Sequence, residues 1–303
     1  MGRGYAASIA VLAAVWGASY LFIRVGIRDF APTVLMELRM LVAFVPLFAF
    51  LAHQSGGVRA AVRDVRSCAR DGLVLGVINN AFPFTLIAWG EKHVDSGVAA
   101  IANSTVPIFV ALLALRFKPS ERATGLRLLG IGVGLVGVGV LAGVHPKGGW
   151  WAVAGTLAVV VASLSYAAGG LYGQSSAGRA SAPVLATAST FYGALVLLPF
   201  ALAQLPDRAP GWKSTLSVLG LSVLGTALAQ LVLFRLLREH GASRTTLVTY
   251  LLPPVALFYG ALILNEEITG PAVAGMALIL AGVALGSGVI RERWRRAAPA
   301  PIP

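Results

Sequence analysis

Ten predominantly apolar stretches divide this chain from end to end: 5–24, 32–52, 72–90, 95–115, 125–143, 151–172, 182–204, 214–234, 242–264 and 270–290. A helix rising 1.5 Å per residue needs roughly 20 residues to cross the ~30 Å hydrocarbon layer of a bilayer. In that layer every backbone amide must find its partner within the protein, which for stretches of this length means helix. The expected fold is therefore an all-α integral membrane protein with ten transmembrane helices. Polar residues interrupt the stretches at 72–90 and 214–234, which are the least regular.

With 57% hydrophobic and 12% charged residues, the chain has too little charge to cover a soluble globule of this size. Its net charge of +12 would suit nucleic acid, but the basic residues sit in short links and are not interleaved with aromatics on a polar domain. No nucleic-acid partner is expected; the charge sets topology and attracts anionic membrane lipid. Placing the N-terminus in the cytoplasm puts most of the 24 Lys and Arg on the inner side and leaves only Arg24, Arg28, Lys92, Lys147, Arg208 and Lys213 outside. The expectation is a multi-pass protein of the cell membrane with both termini cytoplasmic and a basic, proline-rich tail at 291–303. The first stretch contains Trp16 and Tyr20 and has no small-residue cleavage pattern before Arg24, so it reads as a retained span. The single cysteine, Cys68, excludes an internal disulfide.

The chain also repeats itself. Glu121-Arg-Ala-Thr-Gly with Gly130, Gly137 and Gly143 is echoed 145 positions later by Glu266-Glu-Ile-Thr-Gly with Gly275, Gly282 and Gly288. Two copies of five spans, 5–143 and 151–290, insert with opposite orientation because five is odd, giving inverted repeats. Thr124 and Thr269 suit the caps of the helices that follow, so Glu121 and Glu266 read as residues of interfacial loops. The glycine pairs Gly130/Gly134, Gly139/Gly143 and Gly282/Gly286 allow close contact between helices or between the subunits of a homodimer.

Inside the spans, Glu37 and Arg39 lie about 8 and 10 Å from the outer end of the second stretch. Spaced by two, they do not share a helix face, so their partners are expected on adjacent helices, with Arg24 one candidate for Glu37. Two roles are open: an ion pair that orients helices, or a working pair in which Glu37 takes a coupling proton or meets an amine while Arg39 meets a carboxylate. Other polar groups fall in stripes at helical spacing: Trp16, Ser19 and Tyr20; Asn80 and Phe84, with Asn79 beside them; Asn103 and Pro107; Ser163 and Tyr166; Ser189 and Tyr192; Thr226, Gln230 and Phe234; Thr245 and Thr249; Thr246 and Tyr250. Small hydroxyls often bond to their own helix, whereas the amides need several partners, and with the aromatics they suit a path for a small amphipathic solute. Pro107 and Pro253-Pro254 interrupt equivalent spans and are the candidate hinge. The four histidines all lie in links and no metal-ligand or catalytic spacing is present, so neither an enzyme nor a cofactor is expected.

Trp16-Gly-Ala-Ser-Tyr-Leu-Phe-Ile-Arg24, Pro32…Arg39, Thr105-Val-Pro-Ile-Phe…Glu121-Arg-Ala-Thr-Gly…Gly130, and Leu252-Pro-Pro-Val…Glu266-Glu-Ile-Thr-Gly…Gly275 occur in an order that resembles the drug/metabolite transporter superfamily, in its bacterial form with two EamA-like domains. The resemblance covers nearly all of 5–290. It implies ten helices in two inverted copies and a central cavity lined mainly by helices 1–4 and 6–9, with helices 5 and 10 peripheral. It also implies a secondary transporter, and the expectation drawn from it is export of amino acids or related small metabolites by alternating access. An uptake carrier, a channel for small organic solutes and a non-transporting membrane scaffold are the alternatives. Arg24 stands where many relatives have lysine, and the second copy lacks a counterpart of Trp16-Gly.

Overall fold

The computed structural model describes residues 3–117, 126–143 and 149–286, and every regular element among them is helical. Glu121, Thr124 and the 291–303 tail lie outside the described residues. Helices α1 (Arg3–Gly26) and α2 (Pro32–Gln54) form the first two spans, and a short α3 (Val58–Ser67) follows in the link. The third span is α4 (Ala69–Leu75), a π-helical turn at Gly76–Ala81 and α5 (Phe82–Gly90). The fourth is α6 (Ser96–Asn103) and α7 (Val106–Phe117), followed by α8 (Leu126–Gly143). Then come α9 (Gly149–Ser176), α10 (Ala182–Leu202), and α11 (Trp212–Ser222) joined through a second π turn at Val223–Leu228 to α12 (Ala229–Thr245). A 3₁₀ segment at Thr246–Tyr250 leads into α13 (Leu252–Leu264), and α14 (Gly270–Gly286) completes the described chain.

Seven helical stretches among the described residues are long and apolar enough to cross a bilayer, three of them (69–90, 96–114 and 212–242) composed of successive elements, and 248–264 and 270–282 are shorter apolar helices. Large apolar side chains stay exposed on the bundle's outside, among them Val45, Leu195, Phe258 and Leu262 at 55–67%. A face of that kind suits hydrocarbon rather than water. Trp150 and Trp212, at the starts of α9 and α11, are also exposed, as interfacial aromatics are.

Local sequence sets the ends of the helices. Pro32 sits in the first turn of α2, where no helical partner is lost. Asn265, with φ 57°, stops α13, and the Glu266 amide turns back to donate to the Gly260 carbonyl at 3.0 Å. Gly241, at φ 76°, breaks the helical path inside α12, a conformation that suits glycine. Thr269 Oγ1 accepts the Ala272 amide at 3.3 Å and so caps α14. Helix α3 falls in a link: it buries Ala61 and Val65 and turns its arginines outward.

Interruptions inside spans shape the interior. The fourth span is not simply bent at Pro107: it stops after Asn103 and restarts at Val106, because proline tolerates only the first turn of a new helix. Pro253 and Pro254 open α13 in the same way after the 3₁₀ segment. At one contact the two breaks meet, where Ser104 Oγ donates to the Thr249 carbonyl at 3.0 Å. Around them α2 packs on α10, α6 on α13, α5 on α9, α1 on α11 and α8 on α14. The α8–α14 seam is closed by small residues: a Cβ on Gly282 would stand 2.5 Å from the Gly134 nitrogen.

Candidate functional site

The second π turn builds the most polar wall of the interior. Its Gly225 carbonyl accepts the Trp16 indole N–H at 3.2 Å and Arg39 Nη2 at 3.0 Å, while Thr226 Oγ1 donates back to Leu221 O at 3.1 Å and accepts Arg39 Nε at 2.6 Å. π turns leave backbone groups available to side chains in this manner. The Arg39 guanidinium also lies 3.7 Å from the centroid of the Phe84 ring. Arg39 is buried, and no carboxylate pairs with it among the described residues. Its charge is met by a carbonyl, a hydroxyl and an aromatic face.

These groups face a cavity of about 100 Å³, room for several waters or a small solute. Trp16, Ser19, Tyr20, Arg39, Asn79, Asn103, Tyr166, Gln230 and Thr249 line it together. Ser163 Oγ donates to Asn103 Oδ1 at 3.1 Å, and Gln230 Nε2 donates to Asn80 Oδ1 at 2.5 Å. The second bond leaves Asn80 Nδ2 and Gln230 Oε1 buried without partners among the described residues. Ser19 bonds back to its own helix, at the Val15 carbonyl. From the Ile23 and Ile87 end the lining continues to Leu237, Thr245 and Val248 at the other.

Several sequence candidates lie elsewhere. Glu37 is buried on another face of α2, outside the lining, and both its carboxylate oxygens are unpartnered among the described residues. Arg24 does not pair with it. Asn80 stands behind Gln230; Tyr192 packs beside Gly72 and edge-on to Phe191 at 5.1 Å; Tyr250 packs on the cluster around Ile101 and Ile108. Pro107, Pro253 and Pro254 stand in the opening turns of α7 and α13, off the lining.

Beyond the Ile23 end of the cavity lies a charged cluster that sequence reading missed. Arg24 donates to the backbone carbonyls of Glu91 and Val94 and to Asp95 Oδ1 at 3.4 Å, and its Nε stands 3.7 Å from Glu266 Oε1. Glu266 is not merely a loop residue: it accepts the Ser96 amide at 3.1 Å and the Ser96 hydroxyl at 2.6 Å. Nearby, Asp29 accepts the Ser214 hydroxyl at 2.6 Å and the Gly211 amide at 3.0 Å, bonds that hold its carboxyl below the usual range. At the other end, Asp71 takes Arg179 at 2.8 Å and the Tyr172 hydroxyl at 2.7 Å. Glu91 escaped notice because Lys92, His93 and Asp95 beside it give the segment the look of a solvated link.

Comparisons with known proteins fit this architecture. The model of the EamA-like transporter family matches residues 4–143 and 153–288. The chain is 26% identical to the uncharacterized transporter YoaV of Bacillus subtilis over 282 residues, 92% of this chain and 95% of that one. It is 26% identical to a probable amino-acid metabolite efflux pump of Escherichia coli over 294 residues, 93% and 94% of the two chains. With a probable terminal-alkyne amino-acid exporter of Streptantibioticus cattleyicolor it shares 29% identity over 276 residues, 89% of each. A solved crystal structure superposes with a TM-score of 0.68 at 16% identity, over 97% of this chain and 99% of that one, a likeness of fold.

Proposed function

This chain belongs to the EamA-like transporter family, and from that premise we propose that it is a secondary carrier exporting amino acids or related small amphipathic metabolites by alternating access. It is a membrane transport protein, and its family points away from enzymatic chemistry. The observation that carries the substrate class is Arg39, a buried cation on the cavity wall that no carboxylate of the described residues neutralises. A solute carboxylate is the natural counter-charge, because an ion in a low-dielectric interior gains most from an opposite one. Gln230 on the lining keeps an unused acceptor in Oε1, and Trp16, Phe84 and Tyr166 supply apolar surface for a side chain. Two relatives whose names include amino-acid export support the same class.

Alternating access is supported by the shape of the interior. The cavity lining runs toward Leu237 and Thr245, whereas the Arg24 end is bound over by charged bridges, so one end is closed. Ten spans in two inverted halves account for the pairing of α2 with α10 and α6 with α13, and for the Ser104–Thr249 bond between positions 145 apart. The breaks before Pro107 and Pro253-Pro254 are the proposed hinges, since segments without continuous helical bonding bend most easily. In the orientation set by the basic residues, the Arg24 end faces outward and the Leu237 and Thr245 end faces the cytoplasm.

Purified protein in liposomes tests this reading by counterflow of radiolabelled amino acids against unlabelled ones. Saturable exchange is expected for at least one carboxylate-bearing solute, weakened in Arg39→Gln. Flux that neither saturates nor exchanges would identify a channel, and absence of flux for the whole panel would remove the carrier reading.

A further inference from the structure

A carrier that alternates needs a gate at each end, and the Arg24 end shows how one is closed. Arg24, in the last turn of α1, holds the α5–α6 link through the Glu91 and Val94 carbonyls and Asp95, and approaches Glu266 in the α13–α14 link. Glu266 in turn grips the first residue of α6 through both Ser96 groups. Three separate parts of the chain are thereby tied together at one end of the cavity. Inside the tie sits Glu91, 0% exposed, with neither carboxylate oxygen partnered among the described residues.

The groups around Glu91 define what its charge would do. Helix α1 brings Arg24 and Tyr20, the α13–α14 link brings Glu266, and Asp95 shares Arg24 from Glu91's own link. Helix α9 packs Gly155 and Val159 against Gly90 with no titratable side chain between Gly149 and Ser165, and α6 has none. Burial pushes the Glu91 carboxyl well above the ordinary range; Arg24 opposes this and Glu266 adds to it. Among the described residues Arg24 is the cation that acts on Glu91, and it is already shared with Asp95 and Glu266. Its Glu266 contact, at 3.7 Å, is the loose one.

We propose that Glu91 is the proton-binding site of this carrier and that its charge sets whether the Arg24 end is open. This rests on the carrier reading above and locates the coupling proton at Glu91 instead of Glu37, which takes no part in the Arg24 tie. With the proton on, Glu91 is neutral and Arg24 stays on Asp95 and Glu266, as seen here. With the proton off, the carboxylate draws the guanidinium to itself, the Glu266 tie loosens and the α13–α14 link parts from Ser96. One O–H bond is broken and the proton passes to water; no other bond changes. The closed arrangement holds the proton more tightly than a hydrated one, so rising pH moves the population toward opening. Tyr20, which lines the cavity and lies within electrostatic reach of both Glu91 and Arg39, connects this site to the solute.

The gate can be read without knowing the solute. Spin labels at Lys92 and Ile268, exposed residues of the two links, report their separation in the full chain in nanodiscs, with Cys68 replaced by serine. Between about pH 5 and pH 9 the wild-type distance distribution is expected to gain a longer population severalfold. Glu91→Gln, a neutral near-isostere, is expected to abolish that gain and stay closed throughout. Arg24→Gln, which removes the cation from the tie, is expected to show the longer population at every pH. A wild-type separation that does not respond to pH, or a Glu91→Gln protein that still opens as pH rises, would overturn the proposal. Counterflow of the amino-acid panel at equal pH on both sides separates this from the underlying reading: its loss in wild type removes the carrier, whereas its presence alongside a pH-insensitive gate removes only the role of Glu91.

Discussion

Arg39 and Gln230 illustrate how a single side chain acquires a role from its surroundings. Arg39 could be read in the sequence as an expensive charge inside a span, but not as a group resting on Gly225, Thr226 and Phe84, residues far away along the chain. Arg39→Gln removes a charge-assisted contact with a solute carboxylate, about 1.5–3 kcal/mol, and is expected to raise the KM for counterflow about tenfold to a hundredfold. Arg39→Lys should restore only part of it, because an ammonium cannot keep the Thr226 and Gly225 bonds and a solute together. An unchanged KM in both would show that the solute does not use this cation. Gln230→Leu strands the Asn80 amide in the interior at a cost of about 1–3 kcal/mol, expected as a lower melting temperature in detergent. Glu37 makes the opposite point: its depth in the span was legible, yet its position, outside both the Arg24 tie and the cavity lining, depended on how α2 is rotated in the bundle.

Among the elements, α8 and α14 show what a small-residue pattern can and cannot specify. The glycines announced close contact, and the structure supplies the partner: the two helices pack on one another, with Gly282 against the Gly134 backbone. Gly282→Leu has no space to occupy, so it should force the seam apart and cost about 1–3 kcal/mol, read in the same melting assay; Gly139→Leu, where nothing lies within 4 Å of an added Cβ, should leave stability close to wild type. Equal loss in both would place the contact elsewhere. The π turns at Gly76–Ala81 and Val223–Leu228 were visible only as polar interruptions of apolar stretches. Their geometry depends on partners from other helices: Ser165 donating to the Ile78 carbonyl at 2.7 Å, and Trp16 and Arg39 meeting Gly225. Helix α3 was missed because a link rich in arginine looks unstructured until Ala61 and Val65 find a surface to cover.

For the whole molecule, orientation is the prediction that ties the parts together. Single cysteines at Lys92 or Trp212 should react with a membrane-impermeant maleimide from outside intact cells, and cysteines at Val58 or Arg59 only after the membrane is opened. The reverse pattern would place the Arg24 gate on the cytoplasmic side and turn the proposed direction of export around. The two ends also differ in their fastening. At the Arg24 end, Arg24 is shared among Asp95, Glu266 and backbone carbonyls, with a buried acid inside; at the other, Arg179 engages Asp71 directly at 2.8 Å, with the arginine nearer solvent than Arg24.

By itself the sequence determined the solvent and the element type: apolar stretches of bilayer length, with backbone groups that must be satisfied within the protein, become helices. The link charges and the repeat at 145 residues carried the expected topology in the same way, because both are properties of position along the chain. Only the tertiary structure decided which polar groups share the cavity, that Glu266 bonds Ser96 across 170 positions, and that Glu91 is buried rather than solvated. Those outcomes depend on rotation and packing of whole helices, and a residue's own neighbours in sequence do not encode the face on which a distant helix will meet it.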